Sequence, residues 1–99
     1  MNERRVGNRK PVRFLVQHQS STETGYEIDY ASDLSAGGLF IASRATPPRH
    51  ATVHVQFAPG KDAPLVSAFA RVTHVTPQGF GTEFVSLDPD AARVISAIL

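Results

Sequence analysis

The sequence predicts an all-β fold, a small six-stranded antiparallel barrel with a C-terminal α-helix. Three observations support this: six short stretches that alternate apolar and polar residues, turn residues between them at near-regular spacing, and a change to helical periodicity at the end of the chain. Closure into a barrel is favoured because it removes exposed strand edges. With 99 residues, 41% hydrophobic and 19% charged, the chain has the size and composition of one globular domain.

The first three strands are bounded by turn-forming and strand-breaking residues. They are predicted at residues 11–19, 26–31 and 39–41. Pro11 separates the first strand from the polar start of the chain, and the serine- and threonine-rich segment 20–25 predicts a turn. Gly37-Gly38 then changes the direction of the chain before the third strand.

The next three strands are predicted at residues 52–58, 65–75 and 80–85. Pro47-Pro48 cannot continue a strand ladder because proline lacks an amide donor, so a loop precedes the fourth strand. The segment 59–62 closes that strand with turn residues. Pro77-Gln78-Gly79 predicts a tight turn, so strands five and six are expected to form a hairpin.

The chain is predicted to end in a helix that plugs or covers the barrel. Asp88 suits the N-cap and Pro89 suits the first helical turn. Apolar residues then recur on one face at helical spacing: Ala91, Val94, Ile95, Ile98 and Leu99.

A basic N-terminal arm, residues 1–10, precedes the barrel domain of residues 11–99. The arm shows neither helical nor strand periodicity, and we expect it to be flexible until a ligand orders it. Half of the ten basic residues lie at this end: Arg4, Arg5, Arg9, Lys10 and Arg13. Because the net charge is only +1, this asymmetry indicates an anionic ligand at the arm rather than a nucleic acid polymer.

Other functional classes find little support in the sequence. The absence of cysteine excludes disulfides and thiol chemistry, and Ser35 has no evident base, so no enzyme is predicted. No secretory signal and no membrane-spanning run is present, so a cytoplasmic protein without membrane insertion is expected. A nucleic-acid-binding barrel would display aromatic residues outward, whereas Phe14, Phe57 and Phe84 fall on inward-facing positions.

No metal site is predicted from the four histidines. His50 and His54 are four residues apart, but the prolines before them and the strand alternation place them off any helix, and no carboxylate is near them in sequence. We expect His18, His54 and His74 to be half-exposed on strand faces.

Two short motifs are not explained by core building. The first is Arg5-Val6-Gly7-Asn8-Arg9, and the second is Asp33-Leu34-Ser35-Ala36-Gly37-Gly38. Guanidinium groups match phosphate oxygens and the O6/N7 edge of guanine, and a carboxylate accepts from guanine N1–H and N2–H. Each motif also has a structural interpretation: the first as a solvated basic tail, the second as a turn with capping side chains and a glycine at positive φ.

On these two motifs, RxxxR and [D/N]xSxxG, the chain resembles the PilZ domain family, bacterial receptors for cyclic di-GMP. The resemblance covers essentially the whole chain, including a GxGxxF-like strand from Gly79 to Phe84. It implies a single-domain PilZ-type barrel that takes cyclic di-GMP as its ligand and needs no cofactor. Its partner would be an unidentified protein in motility, surface attachment or polysaccharide export.

Chemistry and the resemblance together assign roles to the polar motif residues. Arg5 and Arg9 are expected to contact phosphates and guanine, and Asp33 to accept hydrogen bonds from guanine. Ser35 is expected either to donate to a phosphate or to order its loop.

The remaining candidates are two glycines and two arginines. Gly38 would let the backbone approach the nucleotide, and Gly37 is expected to be the residue with unusual dihedral angles. An arginine at the position of Arg4 goes, in such families, with binding of a stacked ligand dimer. Arg71 is a further candidate phosphate contact, with a surface strand residue as the equal alternative.

The resemblance implies a receptor in which ligand binding and conformational change are one event. The arm is expected to fold over the nucleotide and present a new surface to the partner. We expect micromolar affinity, about −8 kcal/mol, and a monomer or weak homodimer. The alternative is a protein-interaction adaptor of the same fold that does not bind nucleotide.

Overall fold

The computed structural model describes residues 9–20, 25–45 and 47–99, which form six strands and one helix. The strands are β1 (Lys10–Ser20), β2 (Glu27–Ser35), β3 (Gly38–Ala42), β4 (Thr52–Phe57), β5 (Val66–Thr76) and β6 (Gly79–Ser86). The helix α1 covers Pro89–Ile98. The predicted all-β class with a terminal helix is therefore confirmed.

The strands close into an antiparallel barrel in the order β1-β2-β3-β6-β5-β4. Strands that are neighbours in sequence pair as β1–β2, β2–β3, β4–β5 and β5–β6, and the last pair is the hairpin that the turn residues predicted. Closure comes from β1 pairing with β4, where Val16 lies opposite Phe57. As a result β2 and β5 lie on opposite sides of the barrel.

Alternating small and branched side chains fill the barrel. Val16, Val55, Ala70 and Val72 are fully buried, each from a strand that the alternation predicted. The rings of Phe14 and Phe84 both stack on Phe57, with centroids 5.1 and 6.5 Å from it. The predicted inward direction of these three phenylalanines is confirmed, and the stack they form occupies part of the core.

The helix α1 packs on the barrel through the face that its periodicity predicts. The Asp88 carboxylate accepts from the Ala91 amide at 2.8 Å, and Pro89 occupies the first turn. Ala91 and Ile95 are buried in the core, whereas Leu99 caps the helix and is 42% exposed. Within the part of the chain that the structure describes, no helix is both long and apolar enough to cross a membrane.

The outer face of β2 carries large apolar residues. Tyr26, just before the strand, and Ile28 and Tyr30 within it are exposed by 49%, 59% and 40%, whereas Ala31 and Leu34 are fully buried. Ala31 and Leu34 both point inward although they are three positions apart, an odd number. This is possible because the pairing of β2 with β3 shifts at Ser32, between Ala31 and Asp33. A bulge of this kind inserts one residue and turns the following side chains to the other face.

Candidate functional site

The second sequence motif lies where the start of β1 meets the end of β2. Lys10 is opposite Leu34 and Pro11 is opposite Asp33 in the antiparallel register. This register brings Arg9, the last residue of the first motif, to the first residue of the second. The guanidinium Nη1 of Arg9 donates to Asp33 Oδ1 at 2.5 Å.

The Arg9–Asp33 pair is accessible to a ligand. The Arg9 side chain is 46% exposed and that of Asp33 is 32% exposed. A pair as exposed as this contributes at most about 1 kcal/mol to stability. A carboxylate also has more acceptor positions than one arginine uses. The pair can therefore exchange its contacts with an incoming anion or base at little cost.

Ser35 orders the turn between β2 and β3. Its hydroxyl accepts from the Gly37 amide at 3.2 Å and donates to the Gly38 carbonyl at 3.4 Å. Ser35 is 6% exposed, and both of these hydrogen bonds are made to glycines that follow it closely in the chain. Of the two roles expected for Ser35, the structure contains the one that orders the loop.

Gly38 lies against the backbone of β6. A Cβ built on this glycine would be 1.9 Å from the carbonyl oxygen of Thr82. Thr82 is itself buried, and its hydroxyl donates to the Leu39 carbonyl at 2.8 Å and accepts from the Leu39 amide at 3.4 Å. The second motif is thus held against β6 at Thr82, which lies 43 positions from Leu39 along the chain and which the sequence patterns did not indicate.

Gly37 does not have the unusual backbone angle predicted for it. Among the described residues, Gly79 is the glycine with positive φ, and a Cβ on Gly37 would have nothing within 4 Å. The Ser35 hydroxyl shapes the turn without a left-handed residue. The Gly37 carbonyl instead accepts from the Phe84 amide at 2.7 Å, a second bond that anchors the turn to β6.

Two further basic residues lie near this end of β1. The Lys10 ammonium donates to the Ile98 carbonyl at 2.7 Å, so the start of β1 is tied to the last turn of α1. Arg13 lies over the ring of Tyr30, 4.0 Å from its centroid. From the sequence Arg13 is notable only for its charge, because the stacking depends on the pairing of β1 with β2.

The other predicted site residues do not join this cluster in the described structure. Arg4 and Arg5 lie outside the described residues. Arg71 lies on β5, on the opposite side of the barrel from β2, where it is exposed and opposite Glu83 in the register. The structure therefore gathers Arg9, Asp33, Ser35, Gly37 and Gly38 at one place, and does not bring Arg71 to them.

A different cluster lies at the other end of the β1–β2 pair. His18 is 4% exposed, so the prediction that it is half-exposed is wrong. It faces inward because it shares the parity of Val16, and its Nε2 is 2.8 Å from Asp29 Oδ2. His54 is half-buried and His74 is exposed, in line with their predicted positions on strand faces.

Comparison with known proteins agrees with this fold. A family model described as PilZ domain matches residues 2–99. No curated protein matches the sequence. Among solved structures, the Bacillus subtilis inhibitor of motility (MotI/DgrA) is similar with a TM-score of 0.81 and 13% identity. That match covers 95% of this chain and 48% of the other, so this chain spans about half the length of that protein.

Two isolated domains are similar over nearly their full lengths. The PilZ domain of YcgR from Escherichia coli, solved with c-di-GMP, has a TM-score of 0.77 and 14% identity, covering 97% of this chain and 88% of that one. The PilZ domain of CeSA from a cellulose-synthesizing bacterium has a TM-score of 0.71 and 14% identity, covering 92% and 93%. At such low identity these likenesses show the shared fold.

Proposed function

The chain belongs to the PilZ domain family, and from this premise we propose that it is a non-catalytic receptor for cyclic di-GMP that regulates a protein partner. One observation carries the proposal: Arg9 of the RxxxR motif contacts Asp33 of the DxSxxG motif, although 24 positions separate them. Two motifs that suit one guanine nucleotide are thereby joined at one end of the barrel. YcgR, whose PilZ domain was solved with c-di-GMP, supports the choice of ligand.

In this proposal the two motifs have different mechanical roles. Asp33, Ser35 and Gly38 form the fixed half of the site, because Asp33 lies on β2 and the turn that follows this strand is anchored to β6 by the Gly37–Phe84 bond. Asp33 accepts hydrogen bonds from guanine, while Arg5 and Arg9 grip phosphate oxygens and the guanine edge. When the ligand binds, the Arg9 guanidinium turns from Asp33 toward the ligand and the arm closes over it.

The first test is a calorimetric titration of the full chain with cyclic di-GMP. We expect micromolar affinity, and we expect Arg5→Ala or Asp33→Ala to weaken it by about tenfold to a hundredfold, since charge-assisted bonds contribute roughly 1.5 to 3 kcal/mol each. Arg44→Ala is the matched control, because Arg44 is exposed beyond the opposite end of β3. No heat on folded protein contradicts the proposal. Wild-type affinity in both site variants contradicts the site assignment.

The ligand-to-protein ratio from the same titration tests the role proposed for Arg4. A ligand-to-protein ratio near two is expected if Arg4 holds a stacked ligand dimer, and Arg4→Ala should reduce that ratio to about one. A ratio near one in the wild-type chain contradicts the assignment of Arg4 while leaving the receptor function intact.

Closure of the arm is testable by limited trypsin digestion. Arg4, Arg5 and Arg9 are potential cleavage sites in the arm, and bound nucleotide should slow cutting there. Arg44 provides the internal reference, since its cleavage should not depend on ligand. Equal digestion of the arm with and without saturating ligand contradicts the proposed closure.

A protein-binding adaptor without nucleotide affinity is the second candidate. Exposed apolar side chains favour it: Leu15, Ile28 and Leu65 are exposed by 53%, 59% and 65% and line one shallow groove. Exposed apolar patches mark interaction surfaces. Calorimetry distinguishes the receptor from the adaptor, because the adaptor should give no heat with cyclic di-GMP.

A further inference from the structure

Three side chains of the types that ligate metals in proteins lie close together at the end of the β1–β2 pair away from the Arg9–Asp33 contact. His18 and Glu27 are direct cross-strand partners, and Asp29 is two residues farther along β2 on the same face. One ligating atom from each residue lies within 4.8 Å of the other two. We call this group the His18 cluster.

The imidazole of this cluster is held in place by its surroundings. The His18 side chain is only 5% exposed, and its ring meets Phe80 edge to face at a centroid distance of 5.4 Å. The Asp29 side chain is 25% exposed, and Glu27 is exposed. A fixed nitrogen donor beside one half-buried and one exposed carboxylate leaves an approach open from solvent.

The charges of the cluster favour a divalent cation, because two carboxylates converge on one imidazole. Glu27 has no ion pair with any other residue in the described ranges. A divalent ion with neutral imidazole balances both carboxylates at once. Histidine nitrogen with carboxylate oxygen is also a donor set that zinc and related first-row metals accept.

We propose that His18, Glu27 and Asp29 bind a divalent first-row transition metal, with zinc as the best-suited ion. Zinc lies about 2.0 to 2.2 Å from such ligands, so atoms around a tetrahedral ion are roughly 3.4 Å apart. His18 Nε2 and Asp29 Oδ2, now 2.8 Å apart, would separate slightly, and the exposed Glu27 carboxylate would rotate inward. Water completes the coordination, and the ion joins β1 to β2.

The experiment uses the full chain freed of metal with EDTA and titrated with zinc chloride by calorimetry at neutral pH. One equivalent is expected to bind, and cobalt chloride should give the visible absorption bands of a low-coordinate site. Glu27→Gln should weaken zinc binding at least tenfold. Its melting temperature without metal should not change, because the Glu27 side chain is exposed. Zinc should raise the melting temperature of the wild-type chain more than that of this variant.

His50→Asn is the matched control for loss of an imidazole. His50 is exposed with φ of 74°, a backbone angle that asparagine adopts readily. Zinc affinity should not change in this variant, and should fall in Asp29→Asn even where His18→Gln fails to fold.

Absence of zinc binding by the wild-type chain overturns the proposal. An affinity that depends on His50 and not on Glu27 or Asp29 overturns it equally. The metal proposal does not depend on nucleotide binding, so zinc affinity should be the same with and without cyclic di-GMP.

Discussion

Each end of the β1–β2 pair contains a cluster of polar and charged side chains, and the two clusters differ in burial. At one end Arg9 and Asp33 form an ion pair with side chains exposed by 46% and 32%. At the other, the His18 side chain is 5% exposed and lies 2.8 Å from Asp29. Arg9 and His18 are nine positions apart, which corresponds to at most about 30 Å of extended strand.

The difference in burial assigns different uses to the two clusters. An exposed pair is screened by water, contributes little to stability and can be replaced by a ligand. Removing one partner of a buried pair destabilises the fold more, because the other group is left buried without its partner. The exposed end is therefore suited to reversible ligand exchange, and the buried end to holding two strands together.

The largest expected effect is on the anchor of the exposed end. Gly38→Ala places a methyl group 1.9 Å from the Thr82 carbonyl oxygen, so β3 must move away from β6. We expect a loss of about 3 kcal/mol or more in the free energy of unfolding, measured by urea denaturation.

Gly37→Ala is the control for Gly38→Ala, since its added methyl group meets nothing within 4 Å. It should change the free energy of unfolding by no more than about 0.5 kcal/mol. Equal stability of the two variants would show that close packing against β6 does not hold the turn.

The buried end should respond next most strongly. His18→Ala removes the contact with Phe80 and leaves the Asp29 carboxylate without its partner. We expect a loss of about 2 to 3 kcal/mol in the free energy of unfolding, measured with EDTA present, and unchanged cyclic di-GMP affinity. A large fall in nucleotide affinity for this variant while it remains folded would contradict the separation of the two ends.

Arg9→Ala should have the opposite profile. Cyclic di-GMP affinity is expected to fall by about tenfold to a hundredfold, while the free energy of unfolding changes by less than about 1 kcal/mol. Calorimetry and urea denaturation on the same samples measure both quantities, with Arg44→Ala as the control. A destabilised variant that still binds normally would reverse the roles of the two ends.

The smallest effect concerns the link from the exposed end to the helix. Lys10→Met keeps the aliphatic side chain but removes the bond to the Ile98 carbonyl and the positive charge of Lys10. The last turn of α1 contains no basic residue of its own. We expect a loss of about 0.5 kcal/mol, a few degrees in melting temperature, that decreases at high salt. An equal loss at all salt concentrations would exclude the electrostatic explanation.

Much of the fold was predictable because its patterns are local. Alternation placed the strands, and the motif at Asp88 and Pro89 placed the helix start. The alternation of residues could not predict that β1 pairs with β4 to close the barrel, because these strands lie far apart in the chain. Nor could it reveal the bulge at Ser32, since alternation alone does not distinguish the inner face of β2 from the outer.

The candidate site was predictable in its residue types and their spacing, but not in its contacts. Asp33, Ser35 and Gly38 were recognisable by their spacing, and the structure brings Arg9 to them. The reason for Gly38 lies in β6 and could not be read from neighbouring residues, whereas the inward direction of His18 follows from the alternation that it shares with Val16. Arg71 was chosen for its charge, and the strand order places it across the barrel.

A nuclear magnetic resonance titration of the amide-labelled full chain with cyclic di-GMP tests directly whether the nucleotide binds at the Arg9–Asp33 end of the barrel. We expect the largest shift changes at Arg9, Asp33, Gly37 and Gly38, with the amides of His18, Glu27 and Asp29 nearly unchanged. Shift changes centred on the His18 cluster, or none at saturating ligand, would contradict this expectation.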